Sequence, residues 1–318
     1  MKPSALLAGA LLLAVAGAAN AARPTLVINS VPEITPSETR TEVTRQISGV
    51  TKLDVSSSLD VEYIPAAGNT VSVSAPENLM TFVKVENEGN ELSIYLQGSF
   101  NLQGGNMRDL VKVHVTAPGI RDFEASSNAM IKINGDITAD SFSADAASNA
   151  TITAGNVTVS RKAEIEAASN AKVNLGCLNA NSVELDAASN AKVNITQMHV
   201  AGKAEIEAAS NAKVNITEIA GTARIEAEGV SNATLDIASL TAETLKVEAY
   251  SNAKVFVRAG SARQADFEAA SNGKIDASEF RAGTGSLEAA SNGRIASRIA
   301  APANISASSN GSINNNAR

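Results

Sequence analysis

The sequence predicts an all-β fold, a right-handed parallel β-helix of about ten coils of 20–21 residues with an irregular, β-rich N-terminal cap. Two observations support this prediction. A Ser-Asn pair recurs ten times after residue 123, and self-similarity at a fixed period is typical of repeat architectures. Around each pair, apolar and polar residues alternate, which is typical of half-buried strands. The right hand is expected because parallel crossovers are overwhelmingly right-handed.

The repeats contain three columns of apolar residues, counted from the asparagine of each pair. Three residues after it stand Ile131, Ile152, Val173, Val193, Val214, Leu235, Val255, Ile275, Ile295 and Ile313. Five residues before it stand Phe123, Ala144, Ile165, Leu185, Ile206, Val247, Phe267, Leu287 and Ile305. Eight residues after it stand Val157, Leu178, Met198, Ile219, Leu240 and Phe280. The repeat at Asn232 departs from the second column, and we interpret residues 226–230 as a one-residue insertion. Coils stacked at ~4.8 Å would bury all three columns.

The asparagine of each pair is predicted to lie at a tight bend, because Asn tolerates the left-handed backbone conformation. Stacked side-chain amides could donate and accept hydrogen bonds along this column. We therefore interpret it as a structural asparagine ladder, and a repeating ligand site is the alternative. The ladder residues are Asn128, Asn149, Asn170, Asn190, Asn211, Asn232, Asn252, Asn272, Asn292 and Asn310.

Two charged stripes flank the bend. Four residues before the asparagine stand Glu124, Asp145, Glu166, Asp186, Glu207, Glu248, Glu268 and Glu288. Two residues after it stand Lys172, Lys192, Lys213, Lys254, Lys274 and Arg294. The bend separates the two sets, so an acidic face is expected beside a basic face.

Each charged face suggests a hypothesis. Stacked carboxylates ~5 Å apart repel by about 0.8 kcal/mol in water, and a divalent cation would relieve this repulsion. Glu166, Asp186 and Glu207 are accordingly candidate ligands of a weak Ca²⁺ site, and a merely solvated stripe is the alternative. Lateral self-association, with the acidic face of one rod on the basic face of another, is the second hypothesis.

The N-terminal part of the chain divides into three segments. Residues 1–21 are predicted to be a signal peptide, with Lys2 before an apolar run and small residues at the cleavage site. Residues 22–44 are interpreted as an extended leader without its own core, residues 45–120 as the cap, and residues 121–318 as the repeats. The protein is therefore expected to be exported to the periplasm, the outer surface or the medium, without a transmembrane segment in the mature chain.

Candidate catalytic groups are sparse. His114 lies in the predicted cap and His199 in the connector after Met198, so they fall in different coils, and neither belongs to a nucleophile or zinc motif. The dispersed net charge of −7 argues against nucleic acid as a partner. The irregular segment 97–109, read as a loop, is the candidate for a partner site or a groove, with Phe100, Asn101, Arg108 and Asp109.

Several segments resemble a known family. They are Val-Thr-Lys-Leu-Asp-Val at 50–55, Leu-Asp-Val-Glu-Tyr-Ile at 59–64, residues 71–79, 89–94 and 111–118, and the turn repeats. Together they resemble the putative auto-transporter adhesin, head GIN domain family, over roughly residues 45–318. The family's usual Gly-Ser-Gly turn followed by Asp and Val is replaced here by Ser-Asn-Ala followed by Lys or Thr.

The resemblance implies an exported β-solenoid. Our leading interpretation is a non-enzymatic cell-envelope protein with adhesin-like binding of a surface or partner through its faces. A polysaccharide-acting β-helix enzyme and a purely structural envelope scaffold are the alternatives.

Overall fold

The computed structural model describes residues 31–221 and 223–317. The predicted signal peptide and residues 22–30 of the predicted leader lie outside the described residues. Within them, two short strands form a separate pair and 23 strands form one continuous hydrogen-bonded system. The helices described are only four residues long. The all-β prediction is confirmed.

The cap and the solenoid are built from different strands. The cap contains β1 (Glu33–Ile34), β2 (Arg40–Gln46), β3 (Lys52–Val55), β4 (Asp60–Ile64), β5 (Thr70–Pro76), α1 (Glu77–Met80), β6 (Val83–Glu88), β7 (Glu91–Leu96), β8 (Asn101–Leu102), α2 (Met107–Leu110) and β9 (Lys112–Thr116). The solenoid contains β10 (Asp122–Ala125), β11 (Met130–Ile133), β12 (Ile137–Ala139), β13 (Phe142–Ala146), β14 (Thr151–Val159), β15 (Lys162–Ala167), β16 (Lys172–Ala187), β17 (Lys192–Ala208), β18 (Lys213–Ala220), β19 (Arg224–Gly229), β20 (Thr234–Ala249), β21 (Lys254–Val257), β22 (Gly260–Ala269), β23 (Lys274–Ala289), β24 (Arg294–Ala307) and β25 (Ser312–Asn315).

Successive coils stack in parallel with equivalent residues in register. Val173 of β16 pairs with Ile152 in the preceding coil and with Val193 in the following coil. The side chains of Ile165, Val173 and Leu178, one from each predicted column, are completely buried. The three columns are therefore confirmed except at the C-terminal end, where Ile305 is exposed and Ile313 is half-buried. Together they form one continuous core along the rod.

The repeat before Asn232 keeps the register of its neighbours, so the predicted one-residue insertion is wrong. Ala227 pairs with Ile206, and Glu228 pairs with Glu207, without a shift. Ala227 occupies the column that Ile206 and Val247 fill in the adjacent coils, and Ile225 occupies the neighbouring inward position, where the previous coil has Ala204. An exchange of large and small side chains between two inward positions produced the apparent break.

The cap ends the parallel stack with antiparallel strands. β5 pairs antiparallel with β2 on one side and with β9 on the other, and β6 pairs antiparallel with β7. Because β2 begins at Arg40, the sheet starts within the segment predicted to be an extended leader, and the predicted boundary between residues 44 and 45 is wrong. Val43 of β2 pairs with Val73, and this cross-strand contact joins β2 to the cap.

The cap also contains a coil that our sequence analysis did not identify. Leu53 of β3 lies in register with Phe123, and Val61 of β4 lies in register with Ile131. Between these strands, Ser57 and Ser58 have φ values of 63° and 58°, as do the residues of the later bends. The regular stack therefore begins one coil before the first Ser-Asn pair.

Candidate binding faces

The Ser-Asn pair forms the corner at which the chain turns from one face to the next. Ser169 and Asn170 have φ values of 53° and 66°, and the N–H of Ala171 donates to the carbonyl of Ala168 at 3.0 Å. Two consecutive central residues with positive φ are characteristic of a type I′ turn. Asn suits this conformation, since its short polar side chain tolerates the left-handed region. The predicted bend is thus observed.

The hydrogen bonds along the corner column differ from those predicted. The backbone N–H of Asn170 donates to the carbonyl of Ser189 in the next coil at 3.0 Å, and the other corners repeat this contact. Over residues 31–221 and 223–317, the side chains of the ten predicted ladder asparagines form no hydrogen bond with one another. The column is a main-chain ladder, and the prediction of stacked side-chain amides there is wrong.

A side-chain amide ladder does exist four residues after the corner. Asn194 Nδ2 donates to Asn174 Oδ1 at 2.7 Å, and Asn215 Nδ2 donates to Asn194 Oδ1 at 2.9 Å. These side chains are partly buried, whereas the corner asparagines are exposed. Partial burial strengthens such bonds because water competes less for the amides. The signal in the sequence was the repeated tetrapeptide Ala-Lys-Val-Asn.

The acidic face carries an unbroken column of carboxylates, which we call the acidic column. Its members are Asp54, Glu124, Asp145, Glu166, Asp186, Glu207, Glu228, Glu248, Glu268 and Glu288. The predicted acidic stripe is therefore confirmed. Asp54 and Glu228 were not predicted, because Asp54 belongs to the coil before the first Ser-Asn pair and Glu228 to the repeat interpreted as carrying an insertion.

A second outward row on the same face is neutralised by cations. Lys203 Nζ lies 3.0 Å from Glu226 and also pairs with Glu205, and Arg224 Nε lies 2.9 Å from Glu226. Burial alone would raise the pKa of Glu226, but the hydrogen bond from Lys203 and the charge of Arg224 hold this pKa below its usual value. In this row, carboxylates and cations stabilise each other.

The acidic column itself lacks such compensation over most of its length. Among the described residues, only Glu124 and Glu248 of the column form ion pairs, with Lys52 at 2.8 Å and Lys246 at 2.7 Å. Burial, together with the negative charge of Glu207 and other neighbours, raises the pKa of Asp186 to about 6. The fold therefore keeps these carboxylates close together although their negative charges repel one another.

The predicted Ca²⁺ ligands lie beside a shallow groove in this face. The groove, of ≈ 240 Å³, is lined by Glu184, Asp186, Glu205, Ile206, Glu207, Glu226, Glu228 and Glu248. Within the part of the chain that the structure describes, no group of three or more His, Cys, Asp or Glu side chains is arranged to hold a metal ion. The three predicted ligands, Glu166, Asp186 and Glu207, occupy one position each on successive strands. Weak Ca²⁺ binding along the column stays a prediction.

The basic face, on the other side of the corner, carries what we call the basic column. Its members in register are Lys172, Lys192, Lys213, Thr234, Lys254, Lys274 and Arg294. The predicted basic stripe is thus confirmed, with Thr234 as the one interruption. All of its cations are exposed except Lys274, which is half-buried and lies 3.2 Å from Asp276.

The basic column collects the unpaired cations of the solenoid. Within the described part of residues 121–317, every Lys and Arg forms an ion pair except six, and Arg281 alone among the six lies off the column. The other five are Lys172, Lys192, Lys213, Lys254 and Arg294. Positive charge is compensated nearly everywhere on the rod and left uncompensated along this one line.

The residues of the predicted partner loop are occupied by contacts within the cap. Phe100 packs on Phe82 with ring centroids 4.6 Å apart, and Asn101 lies in β8, which pairs with β1. Arg108 Nε lies 3.4 Å from Asp60, and its guanidinium also donates to the carbonyl of Asn128. Asp109 accepts a hydrogen bond from the capping residue Asn106 of α2. The segment contains β8 and most of α2, so our interpretation of it as a loop is wrong in part, and these residues do not converge on one site.

Comparison with solved structures finds proteins that this chain resembles. The chain resembles a crystal structure of a putative adhesin from Parabacteroides distasonis, with 17% identity, a TM-score of 0.50, and coverage of 87% of this chain and 99% of the other. A putative adhesin from Parabacteroides merdae matches with 13% identity, a TM-score of 0.44 and the same coverages. A putative lipid binding protein from P. distasonis matches with 18% identity, a TM-score of 0.40, and coverage of 89% and 99%. No curated protein matches the chain.

The described residues contain no helix that is long and apolar enough to cross a membrane. A family model described as "putative auto-transporter adhesin, head GIN domain" matches residues 49–234 and 204–317, which together cover the cap from residue 49 onward and all strands of the solenoid. These matches agree with the coil beginning near residue 50 and with the repeats that follow it. The chain therefore belongs to the putative auto-transporter adhesin, head GIN domain family.

Proposed function

We propose that this protein is a non-enzymatic, adhesin-like protein of the cell envelope that binds a surface or partner through the flat faces of its solenoid. The observation that carries the proposal is the pair of charged columns, whose side chains recur along the stacked coils and are mostly unpaired. Such a face matches a partner that is itself extended or repetitive, because many weak contacts then form together. Family membership supports an adhesin-like role in general terms.

Catalysis is less well supported by the side chains in the clefts. A cleft of ≈ 370 Å³ lies between the cap and the first solenoid coil. Its charged residues are already engaged, since Asp140 pairs with Arg161 at 2.6 Å and with Arg121 at 3.8 Å. The Tyr63 hydroxyl donates to the carbonyl of Ala117 at 2.7 Å, and burial raises the pKa of Tyr63 to about 12. A group held this far from neutral pH is poorly suited to act as a general acid or base.

Export is part of the proposal, and it derives from the composition of residues 1–21. Treatment of intact cells with a protease, followed by detection of the chain, tests whether it is exposed on the surface. Loss of the chain only after the outer membrane is opened would place it in the periplasm instead. Retention in the cytoplasm would contradict the proposal.

The binding role is tested with the chain recovered from cells that express the full-length gene. Saturable binding to intact cells or to isolated envelope material is expected, without release of reducing or unsaturated sugars from polysaccharides. Product release without saturable binding would favour the polysaccharide-acting enzyme. An envelope that weakens on gene deletion, with no binding to any surface, would favour the structural scaffold.

A further inference from the structure

Three successive coils repeat the same two outward side chains on the basic face. The tetrapeptide Ala-Lys-Val-Asn occurs at residues 171–174, 191–194 and 212–215. In register, the three lysines form one row and the three asparagines form a parallel row two residues further along the strand. We call these six residues the Lys-Asn patch: Lys172, Lys192, Lys213, Asn174, Asn194 and Asn215.

The lysines of this patch carry charge that nothing in the described chain neutralises. All three are exposed and form no ion pair, whereas Lys162 and Lys203 on the acidic face each contact two carboxylates. Adjacent lysines lie on paired strands, about 4.8 Å apart at the backbone. Like charges at this spacing repel each other. An anionic ligand lying along the row would offset that repulsion by its attraction to each lysine.

The asparagines add hydrogen-bonding capacity beside the charge. The ladder uses one N–H and one oxygen lone pair of Asn194, the central residue. A side-chain amide has two N–H donors and two acceptor lone pairs, so half of this capacity is left for a ligand. Amides that neighbours hold in place bind with little loss of side-chain entropy. Such a row is suited to hydroxyl groups, which both donate and accept.

The spacing of the patch distinguishes among polyanions. One sugar residue of a linear pyranose chain advances by a length close to the separation of paired β-strands, so one sugar can meet each coil. Phosphates along one strand of duplex DNA advance by only about 3.4 Å along the helix axis and wind around that axis, so they do not stay aligned with a straight row of lysines at the coil spacing. Long, flexible lysine stems can reach anionic groups on either edge of a sugar chain.

We propose that the Lys-Asn patch binds a linear acidic polysaccharide whose chain runs along the rod axis with one sugar residue per coil. The lysines contact its carboxylates or sulfates, and the asparagine amides contact its hydroxyls. The acidic column across the corner repels the same ligand and confines it to the basic face. This inference rests on the proposed binding role and names the ligand class for it.

A second copy of the chain is a weaker candidate for the same face. Its acidic column has the same spacing, but Asp186, Glu207 and Glu228 of that column are only partly exposed. Stable protein interfaces have an apolar centre. Among the described residues, the large hydrophobic side chains that are exposed are Val31, Ile64 and Ile305, and none of them lies in the three strands that carry the Lys-Asn patch.

The test measures binding of the full-length exported chain to polygalacturonate, a linear glycan with one carboxylate per sugar. Its methyl-esterified form is the neutral control, and duplex DNA is the nucleic-acid control. The test variant is K192E/K213E. The matched control is K84E/R281E, which changes the net charge equally at two cations that form no ion pair and lie off the patch. Far-UV circular dichroism and thermal unfolding confirm that both variants fold, and sedimentation of each protein alone at low and high salt reports self-association.

The wild type and K84E/R281E are expected to bind polygalacturonate but not its ester, with an affinity that falls about tenfold or more between about 50 mM and 200 mM salt. K192E/K213E is expected to lose at least about tenfold of that affinity. Equal binding by both variants, equal binding of the ester, or preference for DNA overturns the proposal. Salt-sensitive self-association that only K192E/K213E abolishes assigns the face to a second copy instead. Failure to bind polygalacturonate while saturable binding to envelope material persists overturns the ligand class and leaves the binding role standing.

Discussion

The two faces that meet at the Ser-Asn corner are built from the same backbone, yet they treat charge differently. On the acidic face, cations neutralise the second outward row of carboxylates, as Lys203 does for Glu205 and Glu226. The acidic column beside that row is partly buried and mostly unpaired. In the basic column, by contrast, every cation except Lys274 is exposed and forms no ion pair.

This contrast indicates that the faces have different constraints. Partly buried, unpaired carboxylates such as Asp186 cost stability in every molecule, whether or not a partner is bound. Exposed lysines such as Lys192 cost little in water, since their charges are solvated and screened. The basic face, whose unpaired charges cost little folding stability, is therefore better suited to binding.

Both faces depend on one aliphatic core, so its loss should have the largest effect. Leu185 is completely buried in the strand that also carries Asp186. L185A is expected to lower the free energy of unfolding by about 2–5 kcal/mol, because it leaves a cavity between stacked coils. Urea unfolding measures this loss. The free energy of unfolding of E184Q, an outward change on the same strand, should stay within about 1 kcal/mol of the wild-type value. If L185A lost no more stability than E184Q, Leu185 would not be a core residue.

The corner that separates the faces should give the next largest effect. Asn190 has a φ of 65°, a region that costs an ordinary L-residue about 1–2 kcal/mol. N190V should therefore lower stability by at least that amount, whereas N190G should be close to neutral. Thermal unfolding of the two variants checks this difference. Equal stability of N190V and N190G would contradict the left-handed corner.

The acidic face should make stability depend on pH in a direction unusual for carboxylates. The pKa of Asp186 rises from 3.8 to about 6, first through burial and then through the charges of Glu207, Glu184, Glu166 and Glu164. Since the folded-state pKa lies above the unfolded value, protonation favours the folded state. Stability from this group is fully present below about pH 4 and is lost as the pH rises through about 6.

After allowance for solvent screening, the effect of Asp186 should be about 1 kcal/mol. D186N is expected to remove that part of the pH dependence and to be more stable than the wild type at neutral pH. Urea unfolding across this pH range measures both effects. A D186N profile parallel to that of the wild type would show that the acidic column carries no electrostatic strain.

The smallest expected effect compares one cation from each face. K203Q removes contacts to Glu205 and Glu226 and should cost about 0.2–1 kcal/mol, since these pairs are exposed. K192Q removes a charge that has no partner and has like charges on both sides, so stability should be unchanged or slightly higher. Chemical unfolding at low salt gives the best resolution. Equal losses of stability in K203Q and K192Q would contradict the proposed difference between the two faces.

The sequence was sufficient to predict the solenoid, its buried columns and both charged stripes. Period-two alternation and a repeat of fixed length determine which residues stack, as with Ile152, Val173 and Val193. The prediction of the first coil failed because the search for repeats relied on one residue type, the asparagine of the corner. The coil at residues 50–64 has Ser58 in place of Asn, although Leu53 and Val61 stand at the expected distances from it. A search based on the apolar columns would have found this coil.

Hydrogen-bond partners were harder to predict than positions. Asn170 recurs in every repeat and Asn174 in three successive ones, so either position could form an amide ladder on sequence grounds. Only the structure shows that the corner directs Asn170 into solvent, while the strand keeps Asn174 partly buried beside its neighbour. The roles of Phe100 and Arg108 depend on contacts with distant residues of the cap, which no local pattern specifies.

The most direct test of the account is whether equivalent residues of neighbouring coils stack in register. In a C177A background, K192C/K213C places two thiols on paired strands at a backbone separation of about 4.8 Å, within the range of about 4.4–6.8 Å that a disulfide spans. K192C/K254C places them three coils apart, about 14 Å. Mild oxidation should form an intramolecular disulfide in the first variant and none in the second. Failure of the first pair to cross-link, or equal cross-linking of both pairs, would contradict the stacked solenoid.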